Sequence, residues 1–253
     1  MPFLVGCDRT KNPSSSPIAS PSLAKSSANP LPKLAIILDD VGGDDSAVSE
    51  IFSLPVQITV AILPNHAHSS EIADQAHRRG YEVMLHLPME SEANEAPEVP
   101  QLRSDMSREE VSRIFGKMLA TVPHAAGVNN HQGSRATSDA KLMETLMPLL
   151  EQRHLFFIDS RTTTATLAYD VAQRDGVRSA FRNVPFLDDI QRQAAIRQEL
   201  ERAIRGAKEK GEAIVIGHPH PETLRVLRQM LPQLPAQGVA LVYASALVHG
   251  SNH

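Results

Sequence analysis

Five short apolar runs along the chain each stop at residues that can bind a metal ion or move a proton. The runs and the polar residues that end them are 34–38 with Asp39 and Asp40, 81–85 with His86, 127–128 with Asn129, Asn130 and His131, 155–158 with Asp159, and 213–216 with Gly217 and His218. In a parallel α/β sheet or barrel, all strands end on one face, and such folds place their active sites there. The repeated pattern therefore predicts a parallel α/β fold with a polar site at one end.

Composition restricts the class of protein. With 253 residues, of which 42% are hydrophobic, the chain can bury a full core. A formal net charge of -4 and the lack of a basic run argue against a nucleic-acid partner. No stretch approaches the roughly 18 apolar residues that a membrane-spanning helix needs. We therefore expect neither nucleic-acid binding nor a transmembrane segment.

The single cysteine excludes an internal disulfide and a cysteine-rich zinc site. Residues 4–7 resemble a bacterial lipobox, in which Cys7 would carry a lipid anchor, and a Ser-, Pro- and Ala-rich stretch follows up to Pro32. Such a stretch cannot form a core. We therefore predict a disordered tether at residues 1–32, a folded domain at residues 33–250, and a periplasmic or cell-envelope location.

The residues before Cys7 do not form a complete signal peptide. They include no basic residue, and the apolar segment is too short. A start codon placed too late would explain this. The alternative is an unstructured N-terminus that contains a chance cysteine.

Helix and strand signals alternate from residue 33 onward. Ser107 and Glu110 form a capping box, and Asp44 or Asp45 is expected to cap an early helix. The predicted helices cover residues 44–54, 69–79, 107–121, 138–153, 164–175, 189–210 and 221–230; the remaining predicted strands cover 58–63, 179–183 and 239–243. Repeated strand-helix units imply parallel strands with right-handed crossovers. Seven or eight units predict a barrel, with residues 88–106 as a loop over its mouth.

Six sequence blocks carry a resemblance to a known family. They are 36–42 (IILDDVG), 59–64 (TVAILP), 80–90 (GYEVMLHLPME), 127–134 (GVNNHQGS), 157–160 (FIDS) and 217–219 (GHP). The chain resembles the divergent polysaccharide deacetylase family of the NodB-like carbohydrate esterase superfamily. The resemblance implies an α/β fold, a distorted (β/α) barrel of seven or eight parallel strands. It also implies a hydrolase that removes N-acetyl or O-acetyl groups from an extracytoplasmic polysaccharide, with metal-bound water as the nucleophile.

The resemblance also implies a metal site. Deacetylases of this superfamily carry a His-x-x-x-His pair after the third strand, and both histidines bind the metal together with an aspartate of the first strand. Here the second position is Glu90, and a histidine stands in the fourth block instead, as His131. Asp40, His86 and His131 are therefore the expected ligands of a divalent cation, with zinc as the first expectation and iron, cobalt or nickel as alternatives. Glu90 is either an extra ligand or accepts a hydrogen bond from a ligand imidazole.

The same resemblance assigns the catalytic roles. Asp39 resembles the general base of the family, and His218 stands where these enzymes keep the general acid. Asp159 matches an acidic position that orients this histidine. The residues expected to bind polar groups of the substrate or to position the loops are Glu90, Asn129, Asn130 and Arg135.

Other interpretations stay open at this stage. The protein could be a glycan-binding protein that kept the barrel and lost turnover. It could also be a metal-dependent hydrolase or aldolase for a small or phosphorylated metabolite, although no glycine-rich phosphate loop is visible. Adjacent carboxylates after a strand, such as Asp39 and Asp40, often cap a helix. Asp188 and Asp189 either line the mouth or cap the long helix that begins near residue 189, and the cap is the preferred interpretation.

Overall fold

The structure is a computed structural model, and it describes residues 1–4, 6, 30–42, 47–93 and 100–250. Leu31–His253 form one compact unit. Cys7, nearly all of the predicted tether, and the expected helix cap at Asp44 or Asp45 lie outside the described residues. The lipid anchor, the tether and this cap therefore stay predictions.

Eight strands form one parallel sheet. Their bounds are β1 Lys33–Val41, β2 Thr59–Ile62, β3 Glu82–Met89, β4 Ala125–Gln132, β5 Phe156–Asp159, β6 Ser179–Phe181, β7 Glu212–Gly217 and β8 Ala240–Val242. The strand order is β6-β5-β4-β3-β2-β1-β7, and β8 pairs with the start of β1. Because neighbouring strands run parallel, each connection must cross back over the sheet, and helices supply these crossovers.

Seven α-helices lie in the described part of the chain. They are α1 Val48–Ile51, α2 Ser69–Arg78, α3 Arg108–Ala120, α4 Ala140–Glu151, α5 Ala168–Arg174, α6 Gln193–Lys210 and α7 Pro221–Met230. The predicted capping box of Ser107 and Glu110 begins α3. The Asp139 carboxylate caps α4, and Pro148 lies inside that helix without ending it. α6 begins at Gln193 without a side-chain cap, so the capping role expected for Asp188 and Asp189 is wrong.

Alternation along the strands separates two apolar layers. On β1, Leu34, Ile36 and Leu38 belong to the large core that includes residues of the surrounding helices. Ala35 and Ile37 belong to a smaller core enclosed by the curled sheet. The other members of this inner core include Met84, Phe156, Ile158, Ile214 and Ile216. The inner core forms the floor beneath the carboxyl ends of the strands.

The barrel is distorted where β6 and β7 face each other. In the described sheet these two strands do not pair directly. The segment between β6 and α6 fills the gap instead: the Leu187 N–H donates to the Ile216 carbonyl (2.9 Å), and Asn183 exchanges hydrogen bonds with Ile214 through its main chain and its side chain. The predicted α/β fold, a distorted barrel of parallel strands, is thereby confirmed.

Three strands extend further than the apolar pattern predicts. β1 continues through Asp39 and Asp40 to Val41, and β4 includes its three polar residues and ends at Gln132. β3 contains Pro88 and Met89, so the predicted loop begins at Glu90, and the part of it at residues 94–99 lies outside the described chain. The polar residues at the mouth are therefore held by strand pairing.

Candidate metal and catalytic site

Strand alternation brings polar side chains to the inside of the barrel mouth. Asp39 follows the inward-facing Ile37 by two residues, His86 follows Met84, and His218 follows Ile216. Residues two apart on a strand face the same side. Each of these polar residues therefore occupies the first inward position above the apolar floor.

The three expected metal ligands converge. The Asp40 Oδ1 atom lies 3.2 Å from His86 Nε2 and 2.9 Å from His131 Nδ1. The two imidazole nitrogens lie 3.1 Å apart. Ligand atoms about 2.0–2.1 Å from a tetrahedral zinc ion are roughly 3.3 Å from one another, so the observed spacing suits one small divalent cation. The structure brings together the predicted ligand set.

The hydrogen bonds around His86 leave its Nε2 atom, which faces Asp40 and His131, free to bind a metal. The Asn129 Nδ2 amide donates to Asp39 Oδ1 at 2.7 Å, which places the amide oxygen of Asn129 against His86 Nδ1 at 2.9 Å. An amide oxygen can only accept, so Nδ1 carries the proton and Nε2 presents its lone pair to Asp40 and His131. Outer hydrogen bonds of this kind orient metal-binding histidines.

Asp40 has the other features of a ligand. Its Oδ1 atom is buried and has no hydrogen-bond partner of good geometry among the described residues. Alternation would direct Asp40 away from Asp39, but its φ of 56° breaks the strand geometry at this point. The pairing of β1 with β2 shifts register between Leu38 and Val41, on either side of it. This left-handed turn lets two adjacent carboxylates face His86.

The electrostatics of the mouth favour a positive charge. Burial raises the pKa of Asp39, whose side chain lies 3.6 Å from His86. Burial also disfavours ionised Asp40, but the imidazoles of His131 and His86 outweigh this effect and hold its pKa well below the usual range. Burial disfavours charged His86, yet Asp39 and Asp40 raise its pKa overall. Two carboxylates therefore stabilise a cation here, whether it is a proton or a metal ion.

His218 lies across the mouth and is held by Asp188. The His218 Nδ1 atom is 2.9 Å from Asp188 Oδ1, while the His218 main-chain N–H and the Thr223 hydroxyl both donate to Asp188 Oδ2. Burial opposes the charged imidazolium, but the Asp188 carboxylate outweighs it and raises the pKa of His218 to about 9. Because Nδ1 faces Asp188, Nε2 faces the metal ligands, 4.0 Å from Asp40 Oδ2.

Asp159 does not take the role expected for it. It follows the inward-facing Ile158 by one residue and so faces away from the barrel interior. Its Oδ1 atom accepts from the Arg161 N–H and its Oδ2 atom from the Thr166 hydroxyl, both at 2.8 Å. The expected pairing of Asp159 with His218 is therefore corrected to Asp188. Counting the alternation from Ile158 was the sequence signal that could have shown this.

The residues expected to bind substrate differ in what they contact. The Glu90 carboxylate accepts from the Ser104 N–H at 2.9 Å and lies 3.7 Å from Arg135, on the loop side of the mouth. Glu90 is also absent from the ligand group of Asp40, His86 and His131 in the described chain. Asn130 is buried and bonds to the backbone of Ser160 and Gln132. Asn130 and Glu90 therefore position loops, whereas the largely exposed Arg135 is accessible to a ligand.

A second group of potential ligands lies beside the first. Asp188, His218 and His220 also have nitrogen and oxygen atoms close together. Both Asp188 oxygens, however, already accept hydrogen bonds from His218 and Thr223. The first group, in which Asp40 Oδ1 has no hydrogen bond of good geometry among the described residues, is the better candidate metal site.

Fold and site together define a class: parallel α/β barrels with a candidate metal site of one carboxylate and two imidazoles at the mouth. Residues 36–248 match the sequence profile described as divergent polysaccharide deacetylase. The chain belongs to this family.

Similar proteins are found among sequences and solved structures. The chain is 43% identical over 217 residues to the uncharacterized protein YibQ of Escherichia coli K12, covering 86% of this chain and 67% of that protein. It is 39% identical over 203 residues to an uncharacterized protein of Haemophilus influenzae, covering 80% and 72%. The uncharacterized protein ATU2773 from Agrobacterium tumefaciens has a similar structure, with a TM-score of 0.81, 22% identity, and 88% and 91% of the two chains covered.

A solved deacetylase shares the fold at greater distance. The catalytic domain of peptidoglycan N-acetylglucosamine deacetylase from Eubacterium rectale has a TM-score of 0.55 and 13% identity, with 89% and 94% of the two chains covered. None of the helices in the described part of this chain combines the length and the apolar character needed to cross a bilayer.

Proposed function

We propose that the protein is a divalent-metal-dependent hydrolase that removes N-acetyl or O-acetyl groups from a polysaccharide outside the cytoplasm. The observation that supports the metal-dependent mechanism is the convergence of Asp40, His86 and His131, with Asp39 and His218 beside them. Membership of the divergent polysaccharide deacetylase family supports a hydrolase of the carbohydrate esterase kind.

Asp40, His86 and His131 would hold the metal. Two imidazoles and one carboxylate that leave further positions open suit zinc, and the buried Asp40 Oδ1, which has no hydrogen bond of good geometry among the described residues, fits such an ion. When bound, a divalent ion supplies Lewis acidity and lowers the pKa of water. Asn129 keeps His86 in the tautomer that this site requires.

Asp39 and His218 would move the protons. Asp39 Oδ1 is occupied by the Asn129 amide, so Oδ2, which lies 3.6 Å from His86 Nε2, is the atom that accepts a proton beside the ligands. Burial raises the pKa of Asp39 and makes it a stronger base. His218 would donate a proton from Nε2 to the leaving amine. Asp188 keeps it charged at neutral pH by raising its pKa to about 9.

The test of this function combines metal content with acetate release. Purified full-length protein, loaded with zinc, should release acetate from N-acetylated or O-acetylated glycans, and a chelator should stop the release. Asp39→Asn should keep the metal and lose turnover, because an amide cannot take up the proton. Asp40→Asn should lose the metal, because a negative ligand is removed. Release that persists in the chelator and in Asp40→Asn would refute the metal-dependent mechanism.

The acid role of His218 has its own test. His218→Ala should slow amide cleavage by roughly 10²–10⁴-fold, the usual contribution of a positioned proton donor. An activated acetate ester should be affected much less, because its leaving group departs without protonation. Equal losses on both substrates would remove His218 as the general acid.

The extracytoplasmic location is proposed from residues 4–7 and the Ser-, Pro- and Ala-rich stretch after them. In cells that express the natural gene with its upstream region, the protein should fractionate with membranes and incorporate a labelled fatty acid. Cys7→Ser should lose the label and appear in the soluble fraction. If the Cys7→Ser protein still fractionates with membranes, the proposal of a lipid anchor at Cys7 is refuted.

A second candidate function is glycan binding without turnover. One structural neighbour is described as a mutant of a CE4 family pseudoenzyme, with a TM-score of 0.53 and 14% identity. The His-x-x-x-His spacing of the superfamily is also altered here, with Glu90 turned to the loop. Glycan binding by zinc-loaded protein that releases no acetate would favour this candidate.

A further inference from the structure

Arg161 occupies a backbone conformation that a side chain of its type disfavours. It follows the end of β5 and has a φ of 49°, in the left-handed region. Glycine or asparagine adopts this region at lower cost. At Asp40, the same conformation is explained by a ligand role. Arg161 has no part in the chemistry proposed above, so its side chain requires another explanation.

The surrounding hydrogen bonds hold this conformation firmly. The Arg161 N–H donates to Asp159 Oδ1 at 2.8 Å. Its neighbours are tied to the end of β4: the Ser160 N–H donates to the Asn130 side chain, and the Thr162 hydroxyl donates to a main-chain carbonyl of that strand. The buried Asp159 therefore fixes the turn that presents Arg161 at the mouth.

The Arg161 side chain is oriented by an aromatic ring and forms no ion pair in the described chain. Its guanidinium carbon lies 3.5 Å from the centre of the Phe181 ring, and Phe181 is supported from its side by the edge of Tyr169. Arg161 is exposed, and within the described chain its guanidinium has no hydrogen bond or ion pair. Stacking on an aromatic face fixes the plane of a guanidinium and leaves its N–H edges free.

A neighbouring arginine shows the contrast. Arg182 stacks on Phe186 at 3.9 Å, but its guanidinium donates to the main-chain oxygens of Ser160, Arg161 and Val184. These hydrogen bonds make Arg182 a structural residue. Arg161 lies next to Arg182, which donates to its main-chain oxygen, but within the described chain the N–H groups of the Arg161 guanidinium are free to bind another molecule.

Arg161 follows a residue that contacts the candidate site. The Asn129 amide that donates to Asp39 also approaches the hydroxyl of Ser160 at 3.3 Å. Arg161 is the next residue in the chain. A polysaccharide with an acetyl group at Asp39 and Asp40 would therefore have further sugars near the end of β5.

We infer that Arg161 binds an oxyanion of the glycan, so that the substrate is an acidic acetylated polysaccharide. The inference rests on the proposed function and narrows its substrate class. A carboxylate and a sulfate or phosphate each match the N–H edge of a stacked guanidinium.

The test is a comparison of binding constants on zinc-loaded, full-length protein. The probes are neutral chitotetraose, a hyaluronan tetrasaccharide that carries carboxylates, and a 6-O-sulfated chitotetraose, titrated by calorimetry. One or both anionic probes should bind about tenfold or more tightly than the neutral one, as a charge-assisted hydrogen-bond pair allows. The anionic probe with the larger increase in affinity over chitotetraose identifies the type of anion that Arg161 binds. Equal affinities for all three probes would overturn the inference.

Variants separate recognition from folding. Arg161→Gln should remove the preference for anionic probes and leave the affinity for chitotetraose unchanged. Arg161→Gly should do the same while folding at least as well, because glycine accepts the positive φ. Arg79→Gln is the matched control: Arg79 also stacks on a phenylalanine, Phe52, but lies before β3, at the opposite end of the barrel. An equal loss in Arg79→Gln, or for the neutral probe, would refute recognition by Arg161.

The two proposals can fail separately. Arg161-dependent binding of an anionic glycan without acetate release would refute the deacetylase function and leave the inference standing. Acetate release from neutral and acidic glycans alike, unchanged in Arg161→Gln, would refute the inference and leave the function standing.

Discussion

Asp159, at the end of β5, and Asp188, between β6 and α6, are both buried near the mouth, yet of the two only Asp188 contacts an imidazole. Asp159 faces outward on β5 because the inward positions belong to Phe156 and Ile158, and it holds the turn at Arg161. Asp188 reaches the interior because the segment before it bonds to β7, next to His218. The direction in which each side chain leaves the backbone therefore decides which of the two aspartates contacts His218.

Asp188→Asn should move the alkaline limb of the activity profile to lower pH. A general acid works in its protonated form, so activity falls as the pH rises through its pKa. The Asp188 carboxylate raises the pKa of His218 to about 9, and an amide would not. Asp159→Asn, which alters a buried carboxylate without contact to His218, should leave the limb in place. The measurement is kcat/KM against pH, and an equal shift in both variants would contradict the assignment.

Asn129 links the candidate metal site to Asp39. Its amide nitrogen donates to Asp39 while its amide oxygen faces His86. Asn129→Ala should weaken zinc binding by about 10–100-fold, the usual effect of losing the group that orients a ligand histidine. Ser160→Ala removes only the hydroxyl 3.3 Å from Asn129 and should change the affinity little. Competition with a chelating dye measures both affinities, and equal losses would show that Asn129 has no special role.

Among the elements, the junction of β4 and β5 forms the floor of the site. Gly127 is the inward position two residues before Asn129, and a Cβ atom there would overlap the ring of Phe156. The absence of a side chain at Gly127 lets Phe156 fill the barrel beneath the polar layer. This packing explains why a glycine lies within β4, a strand that pairs with β3 on one side and with β5 on the other.

Gly127→Ala should destabilise the fold by about 1–3 kcal/mol, because the Phe156 ring must move within a packed interior. Gly116, within α3, is the control: a Cβ there would meet no atom within 4 Å. Gly116→Ala should stabilise by about 0.5–1 kcal/mol, since alanine favours helix. Urea denaturation gives both free energies of unfolding. A Gly127→Ala protein as stable as the natural chain would contradict the proposed packing.

Helices and strands were predictable from the sequence where the apolar pattern agreed with the residues that begin or end an element. The helix Pro221–Met230 has the predicted bounds, and the capping box of Ser107 and Glu110 is present. β4 was predicted too short, because Asn129, Asn130 and His131 interrupt its apolar run although all three lie within the strand. The segment that carries Asp188 was missed because it is irregular and is defined by hydrogen bonds to a distant strand.

The candidate site was predictable only in part, because some of its residues depend on irregular backbone that the apolar pattern does not reveal. Asp39, His86 and His218 follow inward apolar positions, so alternation places them at the mouth. The inward turn of Asp40 depends on a positive φ, which no apolar pattern reveals. The family resemblance predicted Asp40 and His131 as metal ligands. The contact between Asp188 and His218 was visible only in the three-dimensional structure.

At the scale of the whole molecule, the site joins strands that are far apart in sequence. Asp40 belongs to β1, His86 to β3 and His131 to β4, and β1 pairs with β7, which leads to His218. An unfolded chain would rarely bring these ligands together. A metal that binds them all therefore binds the folded state preferentially, and its binding free energy adds to the free energy of unfolding.

Zinc should raise the melting temperature of the purified protein. At a free concentration about 100 times the dissociation constant, the gain is about 2.7 kcal/mol, which is roughly 5–10 °C for a domain of this size. Asp40→Asn should lose the shift. His220→Gln, which alters only the second ligand group, should keep it. A shift that survives in Asp40→Asn and disappears in His220→Gln would place the metal at the second group.

The pH dependence of this stabilisation has a defined sign. Asp39 and Asp40 raise the pKa of His86 above its ordinary value. Without metal, the charged imidazole therefore stabilises the fold fully at pH values below the pKa of an unfolded histidine, and this contribution is lost as the pH rises through the raised pKa. Zinc requires the neutral imidazole, so its contribution should grow over the same pH range. Melting curves with zinc and with chelator should therefore diverge as the pH rises, and parallel curves would contradict binding through His86.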